Sequence, residues 1–373
     1  MQTSTPSILI MFHCKDDAGF AIEKLKAVFI KSAQTAGYHP DKILFSFEKV
    51  QNPNPSTHCI NMFDKEDVEK FVAVLEQNSV NLVFAFDMQY PSHYATAAKA
   101  RGIPVIAYWG ASMSGINGFP KLLAKKVEWF LKKRQAPDHF IFESEAMRRT
   151  ATHGRGVPKD ATSVVHLGVD LQQYSPSSTK TYAHEQFSIP SDRKIVFFSG
   201  HMEERKGVRT IVHAANHLWQ QKKLDKLHFL LCGNRGNEAQ TYIDDYADEA
   251  LTHHVTFAGY RNDVPALMQS SDIGVIASTG WDSFTRSSVE MLASGLPLIV
   301  SNLGGLPEST EHGKTGWHFP PGDAEHLARC IDNLTSDDRL LQEFSAAARK
   351  RAEMRFDEGT QVASLAKLIK EKK

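Results

Sequence analysis

The sequence contains no apolar run approaching about 18 residues, the length a membrane-spanning helix needs, and its first apolar run, "ILIMF", is too short for a secretory leader. It carries no net charge: 43 Lys+Arg stand against 43 Asp+Glu, so no global field draws the chain to nucleic acid, and a basic partner site has to be local. It is also poor in cysteine. The four present, Cys14, Cys59, Cys232 and Cys330, lie far apart with neither paired-thiol nor zinc-site spacing, the usage of buried reduced thiols. Finally, no D-x-D stands at a strand end; "DKED" and "DDYADE" fall in helical, solvated contexts. These absences predict a cytoplasmic protein, at most peripheral to a membrane at its inner face, with no nucleic-acid partner and no metal site.

The 373 residues are enough for two domains with sizeable cores. Short apolar runs recur along the chain: "SILIMF", "KILFSF", "LVFAF", "PVIAYW", "HFIFES" and "SVVHLG", then "KIVFFSG", "HFLLCG", "HVTFAG", "DIGVIA" and "PLIVSN". Each reads as a buried parallel strand, and the helical patterns between them, such as "FAIEKLKAVFIKSAQTAG" and "VRTIVHAANHLWQQ", make βαβ units. The polar stretch from Ser175 to Asp192 interrupts the rhythm and reads as a linker. The expected architecture is α/β: a doubly wound, Rossmann-like domain over 1–174, a linker over 175–192, a second such domain over 193–352, and a C-terminal helix over 353–373 packing back on the first domain. The two domains are expected to face a central cleft.

Ligands of such sheets sit beyond the carboxyl ends of the strands. In the second half those ends are small: Gly200, Gly233, Gly259, Ser278, and Asn302 to Gly305. Any one of these glycines is explained by a tight turn; five strand ends together suit close approach of a ligand to backbone amides. After "DIGVIAS" comes "FTRSSVEMLAS", a helix with Ser283 or Thr285 as N-cap and Gly295 closing it. Its N-terminus suits a phosphate. Asp282, Arg286 and Glu290, four residues apart, project toward one side. Carboxylates there suit a diol, whose hydroxyls they accept; a solvated Arg286–Glu290 pair is the plainer alternative. "FFSGHMEERKG" places Lys206 just before another helix, a good position for a cation that clamps a diphosphate.

These residues carry a resemblance. "G-x5-KG" at Gly200 to Gly207, "VTFAG", "DIGVIAS", "D-x7-E" at Asp282 to Glu290, "MLASGLPLIVSNLGGLPE", "GKTGWHFPPGD" and "HLGVD" are similar to the retaining GT-B glycosyltransferases of family 4, the group 1 type. The first half matches more thinly, in "DDAGF", "AGY" and "RGIPVIAYWG". The resemblance implies transfer of a sugar from a nucleotide-diphosphate donor to a hydroxyl acceptor with retention of configuration, in glycolipid, polysaccharide or glycoside biosynthesis, and with no cofactor or metal.

Carried over residue by residue, it implies that Asp282 meets donor-sugar hydroxyls, Glu290 the ribose, and Lys206 the diphosphate. The turn Ser283, Phe284, Thr285, Arg286 and Ser287 offers amides to the phosphates beside Gly200, while Gly259, Tyr260 and Arg261 frame the base. Gly19 approaches the diphosphate from the first domain, and Asp17, Trp109 and Gly110 lie on the acceptor side. Three positions depart from the family's pattern. Asp282 replaces a Glu, Trp109 replaces a His, and His201 replaces an Arg, leaving Arg205 or Arg286 to supply a guanidinium. His201 either adds charge when protonated or stays neutral and caps the turn. A non-catalytic nucleotide-sugar binding protein, or another GT-B enzyme such as an epimerase or a phosphorylase, is the alternative.

One stretch is strongly basic: "KLLAKKVEWFLKKR", Lys121 to Arg134. A helical wheel puts Leu123, Ala124, Val127, Phe130 and Leu131 on one side, expected to face the sheet, and Leu122 and Trp129 on the other, fenced by Lys125, Lys126 and Lys133. The second stripe suits docking at an anionic membrane surface; an ordinary solvated helix with Trp129 packed under a neighbouring loop is the other reading.

Overall fold

A computed structural model describes residues 5–51 and 53–373. The chain divides into two compact units, one running up to His166 and including Glu358–Lys373, the other Leu167–Asp357. In the first unit the strands are β1 (Ser7–Met11), β2 (Ile43–Phe47), β3 (Thr57–Cys59), β4 (Val80–Phe86), β5 (Val105–Trp109), β6 (His139–Phe142) and β7 (Thr162–Val164). They form one parallel sheet in the order β3-β2-β1-β4-β5-β6-β7. The second unit holds β8 (Lys194–Ser199), β9 (Leu227–Cys232), β10 (Val255–Gly259), β11 (Ile273–Ile276), β12 (Leu298–Ser301) and β13 (Gly316–Phe319), in the order β10-β9-β8-β11-β12-β13, again parallel.

Both sheets are covered on both faces, which is why their strands are continuous apolar runs rather than alternating ones. In β1, Leu9 and Met11 enter one core cluster while Ile8 and Ile10 enter the other. In β8, Val196 and Phe198 face one way and Ile195 and Phe197 the other. Each sheet reverses its winding at one place, between β1 and β4 in the first unit and between β8 and β11 in the second. The crevice outside those strand ends is where a doubly wound sheet binds its ligand.

Four elements differ from the sequence expectation, the last of them, the C-terminal helix expected on the first domain, only in its bounds. β3 and β13 are additional edge strands; Thr57, His58 and Cys59 are all at least partly exposed, so no apolar run announced β3. The stretch 175–192 is built into the second unit rather than linking two bodies. It forms the helix Tyr182–Phe187, buries Ala183 and Ile189, and is pinned by Lys180 to Asp272 at 2.8 Å and by Tyr182 to Asp263 at 2.7 Å. The C-terminal segment is a separate helix, Glu358–Lys372, that follows the helix Asp338–Arg355 and buries Leu365, Ala366 and Ile369 in the first unit against the helix Phe20–Thr35.

The basic helix forms as Lys121–Lys132, but with its sides exchanged. Trp129 packs inward, its ring 5.1 Å from Tyr90 and 6.1 Å from Phe140, while Leu123, Val127, Phe130 and Leu131 are exposed. Leu122 is only partly exposed, and Lys125 pairs with Glu128 at 2.7 Å. A wheel with two apolar stripes does not say which one meets the sheet; here the indole, filling the space above two aromatic rings, decides it. Among the described residues no helix is long and apolar enough to cross a membrane.

Candidate active site

The second unit's winding reversal gathers the charged residues. After β8 the loop runs through His201, which is exposed, into a short turn Glu204–Lys206. After β11 the loop carries Asp282 to the helix Arg286–Ala293. There Lys206 Nζ donates to Asp282 Oδ2 at 2.7 Å, with the two side chains only 16% and 8% exposed. Ser278 Oγ donates to the same oxygen at 2.7 Å. A nearly dry ion pair with added hydrogen bonds is costly to leave half-made, so each partner fixes the other's position.

Two glycines make this meeting possible. Gly207 has φ 73°, and a Cβ on it would lie 1.8 Å from the carbonyl oxygen of Ala277. Gly304 has φ 56°, and a Cβ there would lie 1.9 Å from the carbonyl oxygen of Asp282, which also accepts from Gly305 N at 3.1 Å. The backbones that carry Lys206 and Asp282 are thus held by contacts that only glycine allows.

Thr285 is the N-cap: its side chain accepts from Ser288 N, and Ser287 Oγ ties the first turn to the Ser199 carbonyl of β8 at 3.0 Å. The first-turn amides of Arg286 and Ser287 lie outside the intrahelical ladder, at the positive end of the dipole. Glu290 is buried within this helix, 7% exposed, so the solvated-pair alternative does not apply. Its carboxylate is hydrogen-bonded to the Tyr174 phenol, and burial together with that carboxylate pushes the phenol upward, out of any titration near neutrality. Arg349 secures the arrangement by donating to the carbonyls of Tyr174 (2.8 Å) and Ala293 (2.7 Å).

The remaining expected residues separate into those near this centre and those engaged elsewhere. Arg205 pairs with Glu203 at 2.6 Å on the surface, and its carbonyl accepts from Thr279 N and Gly280 N. Arg286 reaches the Gly168 carbonyl at 3.4 Å. Phe284 is a core side chain packed on Phe356, and Ser283 is partly exposed beside it. Gly200, at the end of β8, donates its N–H to the Cys232 carbonyl. Gly259 donates its N–H to Asn234 Oδ1 at 2.8 Å, and exposed Tyr260 lies under the Arg235 guanidinium. Arg261 is committed to Asp263, and holds that carboxyl down at about 2.

In the first unit Asp17 accepts from Gln51 at 2.7 Å and Gly19 caps the helix Phe20–Thr35. Trp109, at the end of β5, is buried. Gly110 donates its N–H to Asp87 Oδ1 at 2.7 Å. Asp87, directly after β4, was not singled out by sequence. It has φ 54°, burial pushes its carboxyl up to about 6, and the Gly110 and Ala111 amides and His13 oppose that shift. Tyr174 and Arg349 were also missed, and Ser278 was picked out only as a small strand end, not as a partner of Asp282. Ser278 is a strand-end serine like many others, and Tyr174 and Arg349 reach the helix from far along the chain. The signal for Asp87 was present: an aspartate ending an apolar strand is one of the few residues that tolerates a left-handed turn.

Both units resemble known proteins. The family model described as "Glycosyl transferases group 1" matches residues 179–351, and "Glycosyltransferase Family 4" matches residues 34–173. YtcC of Bacillus subtilis is 25% identical over 341 residues, covering 85% of this chain and 80% of that protein. The D-inositol 3-phosphate glycosyltransferase of Corynebacterium efficiens is 26% identical over 208 residues, 53% of this chain and 49% of that protein. HepE of Anabaena, solved in complex with UDP, superposes with a TM-score of 0.75 at 20% identity over 98% of this chain and 100% of that one. With the two glycosyltransferase models together spanning both units and the fold matched throughout, the chain belongs to the group 1 glycosyltransferases, of GT-B fold.

Proposed function

We propose that the protein transfers a sugar from a nucleoside-diphosphate donor to a hydroxyl acceptor, with retention of configuration and without a metal ion. The observation that carries this reading is the buried Lys206–Asp282 pair beside the N-terminus of the helix Arg286–Ala293, at the winding reversal of the second sheet. HepE, which shares the fold, has been solved with UDP and with UDP-glucose, which supports a donor of this class.

In the chain without donor, Asp282 is the counter-ion of Lys206. An incoming diphosphate competes for that ammonium and draws it away from Asp282, and the released carboxylate then accepts hydroxyls of the donor sugar. Glu290, held by Tyr174, takes the ribose hydroxyls. The first-turn amides of Arg286 and Ser287 and the exposed His201 complete the anion site, from which Gly200 keeps side chains away.

The bond from the anomeric carbon to the diphosphate oxygen breaks while the acceptor oxygen bonds to that carbon on the same face, and the acceptor's proton passes to the departing diphosphate oxygen. No covalent nucleophile is needed. Lys206 and the helix amides hold the charge that develops on the leaving group, and this preorganisation replaces a metal. Asp17, Trp109 and Gly110 shape the acceptor side from the first unit. The product belongs to glycolipid, polysaccharide or glycoside biosynthesis in the cytoplasm.

Turnover of a nucleotide-sugar panel, followed as release of nucleoside diphosphate with and without candidate acceptors in excess chelator, tests the reading. Slow acceptor-independent hydrolysis that Lys206→Ala abolishes is the expected result. Binding without any turnover would favour a non-catalytic nucleotide-sugar binding protein, and turnover restored only by magnesium or manganese would overturn metal independence.

A further inference from the structure

Six of the ten exposed large hydrophobic residues among those described fall within sixteen positions of the first unit: Ile116, Phe119, Leu123, Val127, Phe130 and Leu131. Phe119 is 84% exposed, Leu131 74% and Phe130 68%. Leu123, Val127, Phe130 and Leu131 form one stripe along the helix Lys121–Lys132, on the side away from Trp129 and the core. Phe119 extends the stripe at the helix N-terminus. Exposed apolar side chains clustered in this way mark an interaction surface rather than ordinary scatter.

What flanks the stripe identifies the partner. Lys126 and Lys133 lie along one edge, both exposed, and Lys133 Nζ sits 4.8 Å from the Phe130 ring, its stem lying along an apolar neighbour while its charge stays at the surface. Beyond that edge is a groove of about 670 Å³ whose lining includes Lys126, Lys133, Arg148, His153 and Lys159. Its one acid, Glu145, is paired with Arg148 at 2.5 Å. On the helix itself Glu128 is already held by Lys125 and Lys132. An apolar ridge beside a cationic groove is the surface an amphipathic helix presents to a bilayer with anionic headgroups: the ridge enters the boundary between headgroups and acyl chains, and the groove takes the negative charge.

We propose that this face of the first unit docks the protein on an anionic lipid bilayer, with Phe119, Leu123, Phe130 and Leu131 as the inserted residues and Lys126, Lys133 and Lys159 as the headgroup contacts. The proposal does not depend on the transfer reaction.

Co-sedimentation of the full-length chain with vesicles of phosphatidylcholine alone, and of phosphatidylcholine with phosphatidylglycerol, tests it. The chain is expected to pellet with the anionic vesicles only, and less as salt rises. Phe130→Ser with Leu131→Ser, at side chains that contribute nothing to the core, should lower vesicle affinity about tenfold or more. Lys126→Glu with Lys133→Glu should do so to a similar extent, and both double variants should melt like the parent. Absence of binding to either vesicle overturns the proposal, as does equal binding of the parent and both double variants. A concentration-dependent dimer of the parent, abolished by the Phe130 and Leu131 substitutions and unaffected by vesicles, would assign the face to a second copy of the chain and overturn it as well.

Discussion

The two units are built on the same plan and carry their chemistry differently. Each is a parallel sheet that reverses its winding once, and each even repeats a detail near one edge. His139 of β6 is joined to Ser163 of β7 at 2.8 Å, and His228 of β9 to Thr256 of β10 at 2.8 Å. Beyond the strand ends at the reversal they part. The second unit holds a buried ion pair, a capped helix and a carboxylate secured by a phenol. The first holds Asp87 in a left-handed turn, the His13 ring stacked on Phe86, and backbone amides. Under the proposed reaction the difference fits a division of labour: recognition of a charged donor requires fixed counter-charges, whereas an acceptor offering hydroxyls requires a shaped polar surface.

The largest expected effect falls on the second unit alone. Lys206→Ala and Glu290→Gln each remove a charged hydrogen bond of about 1.5 to 3 kcal/mol, and together with lost positioning should reduce transfer by a hundredfold or more. Asp17→Ala, in the first unit, should change the acceptor KM and leave donor KM alone. Steady-state kinetics with both substrates varied separates the two, and a donor KM shift for the Asp17 variant would blur the comparison.

Next come the glycines. Gly304→Ala and Gly207→Ala force a Cβ against a backbone carbonyl and should destabilise the second unit by on the order of 3 kcal/mol, with loss of donor binding. Gly19→Ala in the first unit, where a Cβ would meet nothing within 4 Å, should cost less, about 1 to 2 kcal/mol from backbone strain alone at φ 96° and ψ 178°. Denaturant titration of the three variants gives the ranking directly.

A third contrast involves the Lys206–Asp282 pair itself. If Asp282 competes with the diphosphate for the ammonium, Asp282→Asn should tighten binding of a nucleoside diphosphate by roughly tenfold while transfer falls. An affinity equal to the parent's would mean that donor binding leaves the pair intact.

The smallest effects concern pH, and they have opposite signs in the two units. Burial pushes the His228 imidazole down to about 3 from its ordinary 6.5. The unfolded chain therefore takes up that proton first, and stability present above about pH 6.5 is lost as pH falls toward 3. Burial pushes Asp87 up to about 6 from 3.8, so its contribution is fully present below about pH 4 and is lost as pH rises through 6. His228→Gln should flatten the acid limb of the stability curve, and Asp87→Asn should raise stability at about pH 7 relative to about pH 5. Unfolding midpoints measured across that range check both signs.

How far the sequence could be read follows the same division. Every strand except β3 and β13 appears as an apolar run, because a sheet covered on both faces leaves that mark in composition. Lys206, Asp282 and Glu290 are legible because they lie at fixed offsets from strand ends and helix starts. Tyr174 and Arg349 are not, since contact between residues far apart in sequence leaves no local pattern. The segment 175–192 looks like a linker because its composition is polar, yet two buried residues, Ala183 and Ile189, are enough to seat it. The helix Lys121–Lys132 shows the limit of periodicity: the wheel finds two apolar stripes, and only the room above Tyr90 and Phe140 selects the one carrying Trp129.

The measurement that tests the central claim most directly is calorimetric titration of a nucleoside diphosphate, without metal, into the parent chain and Lys206→Ala. The account predicts binding by the parent and weakening by about tenfold to a hundredfold in the variant, which should melt lower because Asp282 loses its counter-ion but still be folded at the titration temperature. Equal affinity in the two proteins would remove Lys206, and with it the site built around the Lys206–Asp282 pair, from donor recognition.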